Sequence, residues 1–462
     1  MMPAVKGLAV VLAVLGASLV FGVTARSAAA PAPSFAATVW YRVSPNPSSV
    51  VIHDLNGDGK PDLAVANSWQ DWERQVGDHW EGMGTVSVRL NRGDGTFQPR
   101  RDYSAGPGSV ALAASDLNGD GVPDLVTANA GGDTDAGTVS VLLGRGDGSF
   151  LPKQDYPAGE GTDSIALGDV NGDDKPDVLS TGDNTVSVFL NTGDGSLQPK
   201  VDYPAGKEAS SLALVDVDGD SHLDVVTANF GRVSVLRNSG DGTFGLPQDY
   251  DSGGGTADVA AADLNGDGKP DLIVSHSERP SVSVLLNAGD GTFRARRDYR
   301  TGTGELPNIA VADMNGDGYP DLVTPGGGGI SLLLNAGDGT FEPPLAYRGG
   351  SYYGALAVGD LNGDGRPDIA ATAGTDDDES PGALELSVLI DKPGVCNVQH
   401  LSRLALTAAK EQLARANCRV GSVARKYSKS VKQGVVISQS PAFGTVLPGG
   451  GKVSLVVSRG KR

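Results

Sequence analysis

The sequence predicts an all-β chain, a seven-bladed β-propeller followed by a small α+β domain, and three observations carry that prediction. A nine-residue loop rich in Asp, Asn and Gly recurs seven times, starting at Asp54, Asp116, Asp169, Asp216, Asp263, Asp313 and Asp360. The starts lie 62, 53, 47, 47, 50 and 47 residues apart, the length of one supersecondary unit rather than of a domain. After Asp391, Lys392, Pro393 and Gly394 the composition changes abruptly, for residues 394–462 hold twelve of the 37 Lys and Arg but one of the 56 Asp and Glu. The expected divisions are an export signal over residues 1–30, the propeller over 35–391 and the second domain over 394–462.

Blades add to a ring without each starting a new core, so 462 residues do not by themselves set a domain count. With 66 Gly and 27 Pro the chain is turn-rich, yet 39% hydrophobic residues supply a core, which excludes disorder. The formal charge of -19 combines a strongly acidic body with a basic tail, so the two parts differ in partners. Much of the acidity sits inside the repeated loops and reads as ligand charge rather than as a solubilising surface.

In each loop the oxygen-bearing side chains fall at positions one, three, five and nine, and the carbonyl of position seven completes a hard-oxygen shell of the kind that selects calcium. The expected ligands are Asp54, Asn56, Asp58, Lys60 and Asp62 in loop one, then Asp116, Asn118, Asp120, Val122 and Asp124 in loop two. Loop three offers Asp169, Asn171, Asp173, Lys175 and Asp177, and loop four Asp216, Asp218, Asp220, His222 and Asp224. Loop five offers Asp263, Asn265, Asp267, Lys269 and Asp271, and loop six Asp313, Asn315, Asp317, Tyr319 and Asp321. Loop seven offers Asp360, Asn362, Asp364, Arg366 and Asp368. Turn capping alone does not account for three or four carboxylates per loop, because like charges about 4 Å apart repel by roughly 4 kcal/mol at an effective dielectric near 20. The ion's expected role is structural.

Along the chain, Lys6, the apolar run from Gly7 to Val23 and the small residues Ala28, Ala29 and Ala30 read as an export signal. A single-pass anchor is the alternative, at the short end of the roughly 20 residues a bilayer needs. Blade two displays the unit most clearly: Ser109 to Ser115, then Leu125 to Asn129, then Thr138 to Leu143, then an outer strand with Phe150 and Tyr156. The six-residue offset recurs as Phe97 and Tyr103, Phe244 and Tyr250, Phe293 and Tyr299, and Phe341 and Tyr347, with Leu197 before Tyr203. Blade seven ends at its third strand, Leu384 to Ile390, whereas Phe35 and Tyr41 carry the same offset at the start of the mature chain. The first strand is therefore expected to complete the last blade and remove the exposed edges.

These loops, together with turns such as Asn287 to Phe293, resemble FG-GAP or VCBS repeats, which form the propeller of integrin alpha chains and of many secreted bacterial proteins. The resemblance covers residues 35–391 and implies calcium between the first and second strands of each blade. Loops three and four depart from it at position six, with Asp174 and Ser221 for Gly, and loop four also has Asp218 at position three and no Pro. Loop four is thus expected to be the least regular.

In the tail, Leu406, Ala409, Leu413 and Ala416 share one face of a helix from about Leu404 to Asn417, and strands Val435 to Ser440 and Val453 to Ser458 follow. The stretch from Gly434 to Thr445 and from Gly449 to Val457 resembles a PASTA module, as found on penicillin-binding proteins and serine/threonine kinases, and the resemblance implies peptidoglycan or an anionic wall polymer as a partner of residues 394–462. Cys396 and Cys418, an isolated pair in an exported chain, read as a disulfide worth about 3 kcal/mol.

One insert, Ser68 to Gly84, holds Trp69, Trp72 and Trp80 on the face opposite the metal loops, where Asp133, Asp135, Asp376, Asp377, Asp378 and Glu379 would ring them. Integrin alpha chains use the corresponding face for ligands, so these residues are the candidate contacts for an extracellular protein or glycan. Packing of the tryptophans on one another as a lid competes with that reading. Arg92, Gly93 and Asp94, and likewise Arg145, Gly146 and Asp147, spell an adhesion tripeptide that the repeated turn already explains. His53, His79, His222, His276 and His400 are scattered, and no HExxH, GxSxG or GxxxxGK[ST] occurs, so no catalysis is expected. The sequence therefore points to a non-enzymatic, secreted or wall-associated binding or adhesion module with no nucleic-acid partner and no membrane span after signal removal. A carbohydrate-binding or polysaccharide-processing propeller using the tryptophan insert is the alternative, and a purely structural envelope component is a third reading.

Overall fold

A computed structural model describes residues 32–461 apart from 69–74, 77–78, 81–83, 132–135, 303–307, 327–328, 349–351 and 375–384. The proposed export signal, Trp69, Trp72 and the acidic residues expected around them lie outside the described residues. Seven four-stranded antiparallel sheets are present, with the first strand of each beside those of its neighbours. Alternation of small or branched apolar residues drives these short strands, as in Asp124–Asn129 and Gly137–Leu142, and the Asp/Asn/Gly loops break them. Blade two runs Ser109–Ser115, Asp124–Asn129, Gly137–Leu142 and Gln154–Gly159, close to the strands expected from the sequence.

The ring closes through its first strand. Val39–Arg42 pairs antiparallel with Glu385–Leu389, with Tyr41 opposite Leu386, and so supplies the outer strand of the last sheet. Seven clusters of the core lie between sheets rather than within one, one at each seam; Val50, Leu63 and Val65 of blade one pack with Ala355, Leu361 and Ala370 of blade seven.

The six-residue aromatic offset acquires its meaning here. Each Tyr meets the Phe of the next blade edge-on, as in Tyr41 with Phe97 at 5.3 Å, Tyr103 with Phe150 at 5.2 Å and Tyr347 with Phe35 at 4.9 Å. Between blades two and three Leu197 stands in place of Phe, and its N–H donates to the Tyr156 hydroxyl at 3.1 Å. A second link comes from the Asn that opens the turn between third and fourth strands. The Asn191 side chain donates to Pro176 of its own blade at 3.0 Å and to Leu117 of the preceding blade at 2.8 Å. Asn91 does the same to Pro61 and Leu361, across the seam between blades one and seven. Replacing buried Asn191 by Ala leaves two carbonyls unpaired and is expected to cost about 2 kcal/mol in urea unfolding. No loss would show that these carbonyls find water.

The tail folds around Leu406–Arg415, whose Ala409 and Leu413 are buried with Cys396 and Cys418, and the disulfide between those cysteines is formed. Lys452–Ser458 pairs antiparallel with Val436–Ser440 and parallel with Arg419–Lys426. The last of these strands escapes a sequence reading because it is mostly exposed and lacks apolar alternation. The tail packs on the outer edge of blades six and seven. Asn397 accepts from the Phe35 N–H at 3.0 Å and donates to its carbonyl at 2.9 Å, while Gln399 accepts from Ala346 at 2.7 Å and Arg415 pairs with Glu342 at 2.6 Å. No helix among the described residues is long and apolar enough to cross a membrane.

Candidate metal loops

Every loop joins the first and second strands of its blade and is built the same way. In loop one the Asp54 carboxylate accepts the N–H of Gly57 at 2.9 Å, Asp58 at 3.2 Å and Gly59 at 2.7 Å. Asn56 accepts from Asp58 at 2.9 Å, and Asp58 accepts from the position-seven N–H of Lys60 at 3.0 Å. Such a path requires positive φ at positions four and six, 73° and 78° in Gly57 and Gly59. Asp174 and Ser221 adopt the same turn at 64° and 73°. The Ser221 N–H donates to Asp216 at 2.8 Å, so the backbone of loop four is as regular as the others, contrary to the expectation from its sequence.

The ninth position behaves differently from the rest. Asp62 is wholly buried, and its two oxygens accept the N–H of Leu55 at 3.0 Å and of Asn91 at 2.7 Å, which ties the loop to the turn bearing the interblade Asn. The pair of bonds recurs in all seven blades, for example at Asp177 and Asp321. Each oxygen retains a second acceptor site. Burial first, and then the neighbouring loop carboxylates, push the ninth-position groups up: to about 6 for Asp62, Asp124, Asp177, Asp271 and Asp224, the last in spite of the nearby Arg237, about 7 for Asp368 and about 8 for Asp321. Cationic side chains at position seven do not reach the ninth-position carboxylate: Arg366 pairs with the buried Asp391 at 2.6 Å, and the contacts with exposed fifth-position groups are Arg366 to Asp364 at 2.6 Å and Lys60 to Asp58 at 3.3 Å. Such exposed pairs are worth about 0–1 kcal/mol and leave the buried charge uncompensated. Hard oxygen donors around an uncompensated buried carboxylate fit a divalent cation.

The raised values fix a pH dependence. In metal-stripped protein the folded state holds protons that the unfolded chain, with Asp near 3.9, releases, so stability is fullest below that value and is lost as pH rises through about 6 to 8. Thermal unfolding of stripped protein is expected at higher temperature at pH 5 than at pH 8. With calcium present the order reverses, since the ion binds the ionised carboxylates. Stripped protein that gains stability between pH 5 and 8 would contradict the buried, unpaired state of these groups.

Sequence reasoning missed Asp258, which lies among the innermost strands, accepts from Ser211 at 2.6 Å and Ile309 at 2.9 Å, and is pushed up by burial; it joins blades four, five and six. Of the tryptophan insert, the described backbone shows a small hairpin in which Gln75 pairs with Trp80. Among the described residues, Asp216, Asp218 and Asp224 form the one group of three acidic side chains that each bring an oxygen within 4.8 Å of the others, a spacing that could hold a metal ion.

The FG-GAP-like repeat family matches six overlapping segments, 54–127, 116–180, 169–227, 216–274, 263–324 and 313–371, and the PASTA domain family matches residues 397–459. A probable serine/threonine-protein kinase of Clostridium acetobutylicum is 48% identical over 54 residues, 12% of this chain and 8% of the kinase. Among solved structures, BBS1N in complex with ARL6DN is similar at a TM-score of 0.50 and 11% identity, over 79% of this chain and 98% of that one. A lectin of Agrocybe aegerita, described as recognising non-reducing terminal N-acetylglucosamine, is similar at a TM-score of 0.43 and 21% identity, over 64% of this chain and 79% of that one.

Proposed function

The chain belongs to the FG-GAP-like repeat family and ends in a PASTA domain, and from that premise we propose that it is an exported, calcium-stabilised propeller acting as a non-enzymatic extracellular binding module. The observation that carries the reading is the buried ninth-position carboxylate, repeated once per blade and, in every blade but the fourth, without an ion-pair partner among the described residues. Asp, Asn and the position-seven carbonyl would hold the ion, which supplies the charge that fixes each loop. Calcium counted per chain after equilibrium dialysis tests this, and a metal-free protein at millimolar calcium would sink it.

Residues 394–462 tether the module to peptidoglycan or an anionic wall polymer in this reading, and their excess of Lys and Arg supports it. Deleting them would also strip Asn397 from Phe35, so charge reversal at exposed Lys426, Lys429 and Lys432 is the cleaner variant. Retention on purified peptidoglycan is expected to fall in that variant, and equal retention removes the tether. The module's partner is an extracellular protein or glycan met by the insert bearing Trp69, Trp72 and Trp80, and glycan-array binding that survives triple replacement by Ala would exclude this insert.

A further inference from the structure

Blade four differs from the other six at two positions far apart in sequence that the fold brings into contact. At loop position three it alone has a carboxylate, Asp218, where the others have Asn. At the residue after the third strand it has Arg237, where the others have Leu90, Leu143, Leu190, Leu286, Leu334 and Ile390. The Arg237 guanidinium is hydrogen-bonded to Asp218 and lies 3.9 Å from the buried Asp224 carboxylate. Asp224 is, among the described residues, the one ninth-position carboxylate with an ion-pair partner within 4.0 Å.

From this pairing we infer that Arg237 is the resident cation of loop four, and that this loop takes no metal while its six counterparts do. The inference rests on the calcium reading above. A guanidinium stays charged at any pH the protein meets, so a divalent ion entering beside Asp218 and Asp224 would face a fixed positive charge. The side chain is also held from its far side. It fills the slot between blades that Leu286 fills against Gly339 one blade on, donates to the Asp290 carbonyl at 3.2 Å, and packs so closely that a Cβ on Gly291 would lie 2.0 Å from Nη2. The outer strand of blade four itself bears a mark of this substitution at its seam with blade five. Tyr103, Tyr203 and Tyr299 donate to the carbonyls of Gly148, Gly242 and Gly339 at 3.3 Å, whereas the corresponding Tyr250 hydroxyl is buried without a partner. Blade four thus exchanges an apolar contact and one hydrogen bond for an internal ion pair.

Calcium bound per chain, counted after equilibrium dialysis at millimolar calcium, tests the inference. Arg237→Leu, which installs the residue of the other blades, is expected to bind one more ion than wild type. In the native background, Asp216→Asn is expected to leave the count unchanged, while Asp263→Asn in loop five lowers it by one. An unchanged count in Arg237→Leu, or the loss of an ion in Asp216→Asn, overturns the inference. Should Arg237→Leu fail to fold, the two Asp→Asn variants decide the matter alone. No calcium on wild type or any variant would instead remove the parent reading, and that outcome is distinct from the others.

Discussion

Stripping calcium from the folded protein is expected to lower its unfolding temperature by about 10 °C. With about 1 mM calcium and a dissociation constant near 0.1 mM, typical of extracellular modules, each occupied loop stabilises by roughly 1.4 kcal/mol. Six or seven loops supply roughly 8–10 kcal/mol, comparable with the whole stability of an ordinary domain. A ring of about 360 residues unfolds with an entropy near 0.75 kcal/mol per kelvin, so that free energy corresponds to a little over 10 °C. The shift should be reversed by added calcium and weaker with magnesium, which needs a smaller, near-octahedral shell. A difference of only a few degrees between calcium and chelator in differential scanning calorimetry would show that the loops hold themselves together.

Replacing Phe35 by Ala is expected to cost about 4 kcal/mol, since the ring is wholly buried, packs edge-on against Tyr347 and sits at the bridge to Asp391 just ahead of the strand that completes the last blade. Asn397→Ala reaches the same point from the tail, leaving the Phe35 N–H and carbonyl without their partner at a cost of about 2 kcal/mol. Because both variants loosen one contact, their double mutant should be less destabilised than the sum, which a double-mutant cycle in urea would measure. Simple additivity would show that the tail rests on the ring without helping to close it.

The seven loops, their spacing and the aromatic offset were legible because each repeats. A period of about 47 residues averages out the ambiguity of any single short strand. The seam between Val39–Arg42 and Glu385–Leu389 could be foreseen for the same reason, as one blade lacked a piece that the other end of the chain supplied. The offset did not reveal that Tyr and Phe of one blade face opposite neighbours, because a repeat is blind to whether a contact lies within its unit or between units. The regular backbone of loop four shows the limit of local propensity, since the Asp216 carboxylate, accepting the N–H of Gly219 and of Ser221, holds Ser221 in a turn that Gly would adopt more easily.

What the sequence determined by itself was local and periodic: strands from alternation, turns from Gly and Asn, carboxylates spaced for a cation, and a tail of opposite charge. What only the tertiary structure decided was which of those charges end up buried and which find a partner. Asp62 and Asp224 occupy the same loop position, yet one lies buried without a counter-charge and the other lies beside Arg237, thirteen residues further along the chain. Desolvation and pairing depend on distances across the fold, and a carboxylate's neighbours in sequence do not specify them.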